Sequence, residues 1–281
     1  MTAIIVFVED SYIKLRSVLK SFARYTLGTP LANPLRWVYG GKGVCLAYHR
    51  LTTQRFGREG YFPNAGLAVN VDEFAKQLAF VNENFQCVSI PDLVSDLKAG
   101  VGGRRRLAVT FDDGFKDNLT LGLPLLEKYE IPATIFVTSG FIDRTAICWW
   151  EELGHILGAV DSLTVNLHRD TLHLQLHNEV EKRNAFNRLQ GMLQKVSCRE
   201  RNEFIESLRE ASGHRLSYSD LFLNWDKVRE LDKHPLITIG AHTVTHPVLA
   251  KLSAEELRAE IVDGRERLES ELGRSVDVFA Y

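Results

Sequence analysis

The feature that most constrains the fold is a regular alternation of short apolar runs with helical segments from residue 43 onward. Strands that alternate with helices in this way pair in parallel. We therefore predict an α/β fold, built either as an open sheet or as a (β/α) barrel. The apolar runs cover residues 44–48, 107–111, 133–137, 236–239 and 276–280.

Capping signals mark the helices between these runs. Asp72 is placed to cap a helix with an apolar face, and Ser253 and Glu256 have the spacing of a capping box. Gly273 follows the last apolar position of that second helix and is expected to end it.

Residues 145–224 interrupt the alternation. Two stretches of alternating apolar and polar residues, 163–167 and 172–176, predict a hairpin, and two helical segments follow them. We interpret this stretch as a mainly helical insertion into a domain that spans residues 43–281.

Residues 1–42 are predicted to form an N-terminal helical extension. Apolar residues at positions 8, 12, 15, 19 and 22 recur at helical spacing, with basic residues nearby. Packing on the domain is the expected role, and attachment to a membrane surface is the alternative. The apolar run at residues 3–8 is too short for a signal-peptide core or a membrane span.

The charge balance indicates no nucleic-acid partner. The formal net charge is −2, and the only basic cluster, Arg104-Arg105-Arg106, lies in a glycine-bounded loop. We expect that triplet to form a solvated turn rather than a binding patch.

Ionisable residues follow three of the apolar runs. His49 ends the first, Asp112 and Asp113 end the second, and His242 and His246 follow the fourth. The carboxyl ends of parallel strands meet at one rim, so these side chains are expected to converge. Two histidines and one carboxylate are a typical ligand set for a divalent metal with an open position.

Each signal has an ordinary structural alternative. Asp-Asp-Gly is a common turn composition, and two histidines four residues apart mean little alone. Burying two adjacent unpaired carboxylates costs several kcal/mol, however, and a divalent cation offsets that cost. The combination therefore favours a metal site. Thr243 and Thr245, between the histidines, either hydrogen-bond to that site or stabilise its turn.

Two of these segments resemble motifs of a known family. Thr110-Phe111-Asp112-Asp113-Gly114 and His242-Thr243-Val244-Thr245-His246 are similar to the first two motifs of the NodB-type polysaccharide deacetylases, carbohydrate esterase family four. The resemblance extends from about residue 43 to the last residue. It implies a distorted (β/α) barrel and metal-dependent removal of N-acetyl groups from an N-acetylated amino-sugar oligo- or polysaccharide.

The resemblance also implies a role for each matching residue. Asp113, His242 and His246 would hold a divalent metal, with zinc expected, and Asp112 would be the general base. A branch of the family carries its acid histidine on the first strand, and His49 matches that arrangement. A structural histidine that closes the strand is the alternative.

The resemblance leaves three points open. The family's third motif should begin near residues 279–281, so we expect the barrel to be incomplete at the C-terminus. Trp149, Trp150 and Trp225 either stack on sugar rings or pack in the core. The alternatives to the deacetylase are a non-catalytic carbohydrate-binding protein and a metal-dependent amidase acting on a small non-sugar amide.

Overall fold

The structure is a computed structural model that describes residues 4–5, 43–54, 61, 63–101, 105–167 and 170–281 of the 281-residue chain. The described residues form ten strands, numbered here in chain order. These are β1 (Ile4–Ile5), β2 (Gly43–Tyr48), β3 (Arg50–Thr52), β4 (Ala68–Asn70), β5 (Gln86–Cys87), β6 (Arg106–Phe111), β7 (Ala133–Val137), β8 (Ser162–Leu167), β9 (Asp170–Gln175) and β10 (Ile237–Ala241).

The central sheet has the strand order β1-β2-β6-β7-β10, and the short β5 pairs with the first residues of β6. All of these strands run parallel except β1, which pairs antiparallel with the outer edge of β2. Tyr48 lies opposite Phe111 and Val137 lies opposite Ala241. The carboxyl ends of β2, β6, β7 and β10 therefore share one rim. This arrangement confirms the predicted α/β fold.

The two middle strands, β6 and β7, are buried along their whole length, so both of their faces are covered. On one side the rings of Tyr48, Phe74 and Phe111 pack with centroids 5.0 to 5.7 Å apart. Continuous apolar runs are what such fully buried parallel strands require.

The helices are numbered in the same way. They are α1 (Val71–Asn84), α2 (Ile90–Ala99), α3 (Leu123–Tyr129), α4 (Ser139–Asp143), α5 (Trp149–Ala159), α6 (Glu179–Leu193), α7 (Cys198–Ser212), α8 (Tyr218–Leu221), α9 (Trp225–Asp232) and α10 (Ala254–Leu272). None of the described helices combines the length and the apolar character that crossing a membrane needs.

Two of the three predicted caps are confirmed. Ser253 and Glu256 form a complete capping box at the start of α10, and Gly273 ends that helix in the left-handed conformation. The prediction for Asp72 was wrong: the side chain of Asn70 accepts the hydrogen bond from the Asp72 N–H. Asp72 lies in the first turn, where its negative charge still favours the helix N-terminus.

The predicted hairpin and the two helices after it are present within residues 145–224. β8 pairs antiparallel with β9, and α6 and α7 pack against α5. A buried ion pair between Arg209 and Glu152 joins α7 to α5. The division of the chain into a domain and an insertion stays a prediction.

Two other predictions concern segments that the structure describes in part. The N-terminal extension lies outside the described residues, apart from Ile4–Ile5. In the arginine triplet, the expectation of a solvated turn was wrong for Arg106, which begins β6, is buried and pairs with Asp96. The carboxylate of Asp96 on α2 therefore compensates the positive charge of Arg106, which was predicted to be exposed to solvent.

Candidate functional site

The Asp-Asp-Gly turn places its two carboxylates differently. Asp112 continues the sheet, because its N–H donates to the Tyr48 carbonyl at 2.9 Å. Asp113 and Gly114 then take left-handed conformations, with φ of 73° and 77°. This turn directs Asp113 into the protein, where it is 0% exposed, while the Asp112 side chain keeps 16% of its exposure.

The second motif follows β10 as a tight turn. Thr243 and His246 adopt left-handed conformations, with φ of 66° and 56°. The Thr243 hydroxyl accepts a hydrogen bond from the His246 N–H at 3.0 Å, which is the turn-stabilising role among the two alternatives. Non-glycine residues persist in this conformation only when the surrounding structure holds them there.

The turn brings both histidines onto Asp113. Nε2 of His242 lies 3.5 Å and Nε2 of His246 lies 3.3 Å from Oδ1 of Asp113. One ligand atom from each of the three residues lies within 4.8 Å of the others. Ligand atoms about 2.1 Å from a tetrahedral zinc ion are about 3.4 Å apart, so the spacing fits such an ion.

The carboxylate of Asp113 also fits a cation. Within the described part of the chain, neither of its buried oxygens has a hydrogen-bond donor. Leaving an ionised carboxylate buried and unpaired costs several kcal/mol, and a bound divalent ion offsets that cost.

His242 is held in the form that binds metals. Its Nδ1 lies 2.9 Å from the carbonyl oxygen of Ala280. A carbonyl can only accept, so Nδ1 carries the proton and the lone pair of Nε2 faces Asp113. Burial lowers the pKa of His242 to about 4, against the attraction of Asp113, so its imidazole is neutral at pH 7.

Asp112 and His49 meet on the more open side of the centre. Nε2 of His49 lies 3.9 Å from Oδ2 of Asp112. Burial raises the pKa of Asp112 to about 6, and the charge of Asp113 adds to this shift while His49 opposes it. The five residues predicted from the sequence are thus brought together, and their separate roles stay predictions.

Glu260 on α10 supports the histidine turn and was missed from the sequence. Its Oε2 accepts hydrogen bonds from the N–H groups of Val244 and Thr245, at 2.9 and 2.8 Å. Its Oε1 accepts from the Thr245 hydroxyl at 2.5 Å. Gly264 lets α10 approach closely, because a Cβ there would lie 2.9 Å from the carbonyl carbon of Thr243.

The tryptophans occupy packed positions. Trp149 and Trp150 are each 7% exposed, and the Trp150 ring lies 5.1 Å from that of His246. Trp225 donates from Nε1 to Asp143 at 2.7 Å. These contacts favour packing over the sugar-stacking alternative.

A family model of the polysaccharide deacetylases matches residues 99–281, which include both motifs. A comparison with curated protein sequences found no match.

Solved structures with a similar fold include the deacetylase PplD of Streptococcus pyogenes, in complex with acetate. It is 17% identical with a TM-score of 0.51, over 84% of this chain and 72% of that protein. IcaB from Ammonifex degensii is 18% identical with a TM-score of 0.49, over 85% and 73%. A polysaccharide deacetylase from Bacillus cereus is 16% identical with a TM-score of 0.47, over 86% of this chain and 51% of its own length. This chain therefore spans about half of the Bacillus protein.

Proposed function

Because the chain belongs to the polysaccharide deacetylase family, we propose that it is a metal-dependent hydrolase that removes N-acetyl groups from N-acetylglucosamine-type residues of an oligo- or polysaccharide. The observation that carries this proposal is the buried, unpaired carboxylate of Asp113 facing Nε2 of both His242 and His246.

Asp113, His242 and His246 would hold the divalent ion, and zinc suits one carboxylate and two imidazoles. Such an ion, when bound, polarises the amide carbonyl and lowers the pKa of water. The two imidazoles present unprotonated Nε2 atoms only if their other nitrogens are protonated, and the Ala280 carbonyl imposes this on His242.

Asp112 is the proposed general base. Its carboxylate stays partly exposed beside the three ligands, so it can reach a water molecule that attacks the acetamide. Hydrolysis adds the hydroxyl of that water to the acetyl carbon and breaks the C–N bond. Asp112 takes the proton of the water, and it must be ionised to do so.

His49 is the proposed general acid. Its Nε2 lies 3.9 Å from Oδ2 of Asp112. Its backbone carbonyl accepts a hydrogen bond from Nδ2 of Asn118 at 2.9 Å, which holds this part of the backbone in place. Protonated His49 would give its proton to the nitrogen as the C–N bond breaks, which releases acetate and a free amine.

The proposal is tested by acetate release from N-acetylated chito-oligomers, measured on metal-stripped protein before and after zinc is added back. Release is expected only with metal. Asp112→Asn should abolish release while the metal content stays at the wild-type level; loss of the metal instead would show that the two aspartates exchange roles. Binding of the oligomers without any release of acetate would favour the non-catalytic carbohydrate-binding alternative.

A further inference from the structure

The chain changes from one sheet to another at His49. β2 ends at Tyr48, whose carbonyl accepts a hydrogen bond from the Asp112 N–H at 2.9 Å. β3 begins at Arg50 and pairs with β4, outside the central sheet. His49 belongs to neither strand. The direction of its side chain therefore depends on whatever holds the backbone at this break.

Two consecutive residues, Asp117 and Asn118, hold that backbone. Nδ2 of Asn118 donates to the His49 carbonyl at 2.9 Å. Oδ1 of Asp117 accepts hydrogen bonds from the Leu51 N–H at 2.9 Å and from Nδ2 of Asn118 at 3.2 Å. Oδ2 of Asp117 accepts from Nε of Arg50 at 3.1 Å. The pair thus binds three consecutive residues, 49–51.

These hydrogen bonds are shielded from water. Asn118 is 0% exposed, and the Asp117 side chain keeps 12% of its exposure. A buried donor or acceptor that loses its partner is costly, so the backbone is not free to shift away from the pair. Arg50 also donates from Nη1 to Oε2 of Glu151 at 3.2 Å, which ties the same segment to α5.

Asn118 begins a π-helical turn, Asn118–Gly122, that leads into α3. Pro124 explains the wider turn, because it has no N–H for the carbonyl of Thr120 and its ring would crowd that carbonyl in an α-helix. Gly122 lets the turn approach β3, since a Cβ there would lie 3.3 Å from Cδ1 of Leu51. Single π-helical turns are rare and occur frequently at functional sites.

We propose that Asp117 and Asn118 are positioning residues, which hold His49 where its imidazole can give a proton to the departing nitrogen. This transfer needs the two heavy atoms about 2.6–3.2 Å apart. A misplacement of about 1 Å can lower a rate about 100-fold, so a small shift of the backbone at residue 49 is sufficient to disturb it. The inference rests on the proposed function, because it takes the role of His49 from there.

The test begins with two substitutions and one control. Asn118→Ala removes the donor to the His49 carbonyl. Asp117→Asn keeps an oxygen for the Leu51 N–H but loses the carboxylate charge. Thr120→Ala, which removes an exposed hydroxyl of the same turn, is the matched control. Thermal unfolding is compared for all three variants.

Acetate release from N-acetylated chito-oligomers is then measured. We expect Asn118→Ala to lower kcat by about 10–100-fold, with KM and zinc affinity unchanged. Asp117→Asn should lower kcat less, and the control should match the wild type. A wild-type kcat in Asn118→Ala, or a parallel loss of zinc affinity, would overturn the inference.

A double-mutant cycle separates positioning of His49 from a general structural role. In protein that already carries His49→Ala, adding Asn118→Ala should change kcat by less than about twofold. The full loss in that background would overturn the inference. If Asn118→Ala does not fold, the same cycle is run with Asp117→Asn.

The position of His49 is also measured without activity, in crystal structures of the wild type and of Asn118→Ala. The imidazole of His49 should lie at least about 1 Å farther from Asp112 in the variant, and an unchanged separation would overturn the inference. If the imidazole moves in the variant but the wild type releases no acetate, the proposed function fails and Asn118 still positions His49.

Discussion

Replacing Glu260 with alanine tests how the histidine turn is held. The change removes the acceptor of two backbone N–H groups and of the Thr245 hydroxyl. The turn contains two left-handed non-glycine residues, and each such conformation costs about 1–3 kcal/mol, which interactions with the surrounding structure must offset. Without Glu260 we expect the turn to relax and His246 to move away from Asp113.

The expected effect is on metal affinity. Partners that orient metal ligands typically contribute about 10–100-fold to affinity, which corresponds to about 1.4–2.7 kcal/mol. Hydrogen bonds to a charged acceptor contribute about 1.5–3 kcal/mol each when they are shielded. Glu260 is only half-buried, so water replaces part of the free energy that its hydrogen bonds contribute. We therefore expect Glu260→Ala to lower zinc affinity by about 10–100-fold.

The assay is a zinc titration of the metal-stripped protein in competition with a chromophoric chelator. Glu266→Ala is the control, because Glu266 is exposed on the same helix. Glu260→Gln should lose less than Glu260→Ala, because its amide oxygen accepts from the backbone and its NH2 group can donate to the Thr245 hydroxyl. Zinc affinity of Glu260→Ala equal to that of the wild type, in a protein that unfolds at the same temperature, would refute the reasoning.

Three further predictions follow from the same structure. His49→Ala should lower kcat by at least about 100-fold at unchanged metal content, and a near-normal rate would remove His49 from the mechanism. Asp112 acts as a base only when ionised, so kcat/KM should fall as the pH drops through its pKa. That pKa is about 6 without the ion, and a cation lowers it, so an acid limb above pH 7 would contradict the assignment. Glu152→Ala removes the buried partner of Arg209 and leaves this arginine paired only with the partly exposed Glu206, so it should destabilise the fold by up to about 3–5 kcal/mol; a loss below about 1 kcal/mol in urea unfolding would show that Glu206 alone compensates the charge.

The sheet could be predicted from the sequence because its strands are buried on both faces. Residues 133–137 form β7 with the predicted bounds, and residues 107–111 differ from β6 only at Arg106. Arg106 was assigned to the glycine-bounded loop that precedes this run, and only the tertiary structure shows that Asp96 compensates its charge. Residues 276–280 run beside β10 and pair with it only around Ala241.

The residues of the candidate metal site could be predicted from the sequence where they belong to local motifs. Asp112, Asp113, His242 and His246 each follow a strand, so strand topology alone brings them to one rim. Glu260 carries no comparable signal, because it lies on a helix and contacts residues 15 and 16 positions earlier in the sequence.

The backbone conformation of each motif could not be predicted from the sequence. The left-handed backbone at Asp113 buries this acid and leaves its neighbour Asp112 near the surface, and the composition of an Asp-Asp-Gly turn does not distinguish the two. The resemblance to the deacetylase motifs supplied that distinction.

The most direct measurement is elemental analysis of the purified protein combined with anomalous diffraction from its crystals. About one divalent ion per chain is expected, with an anomalous peak between Asp113, His242 and His246 and both signals lost in Asp113→Ala. A peak elsewhere, or a fully active protein that contains no metal, would contradict the claim that these three side chains hold a cation together.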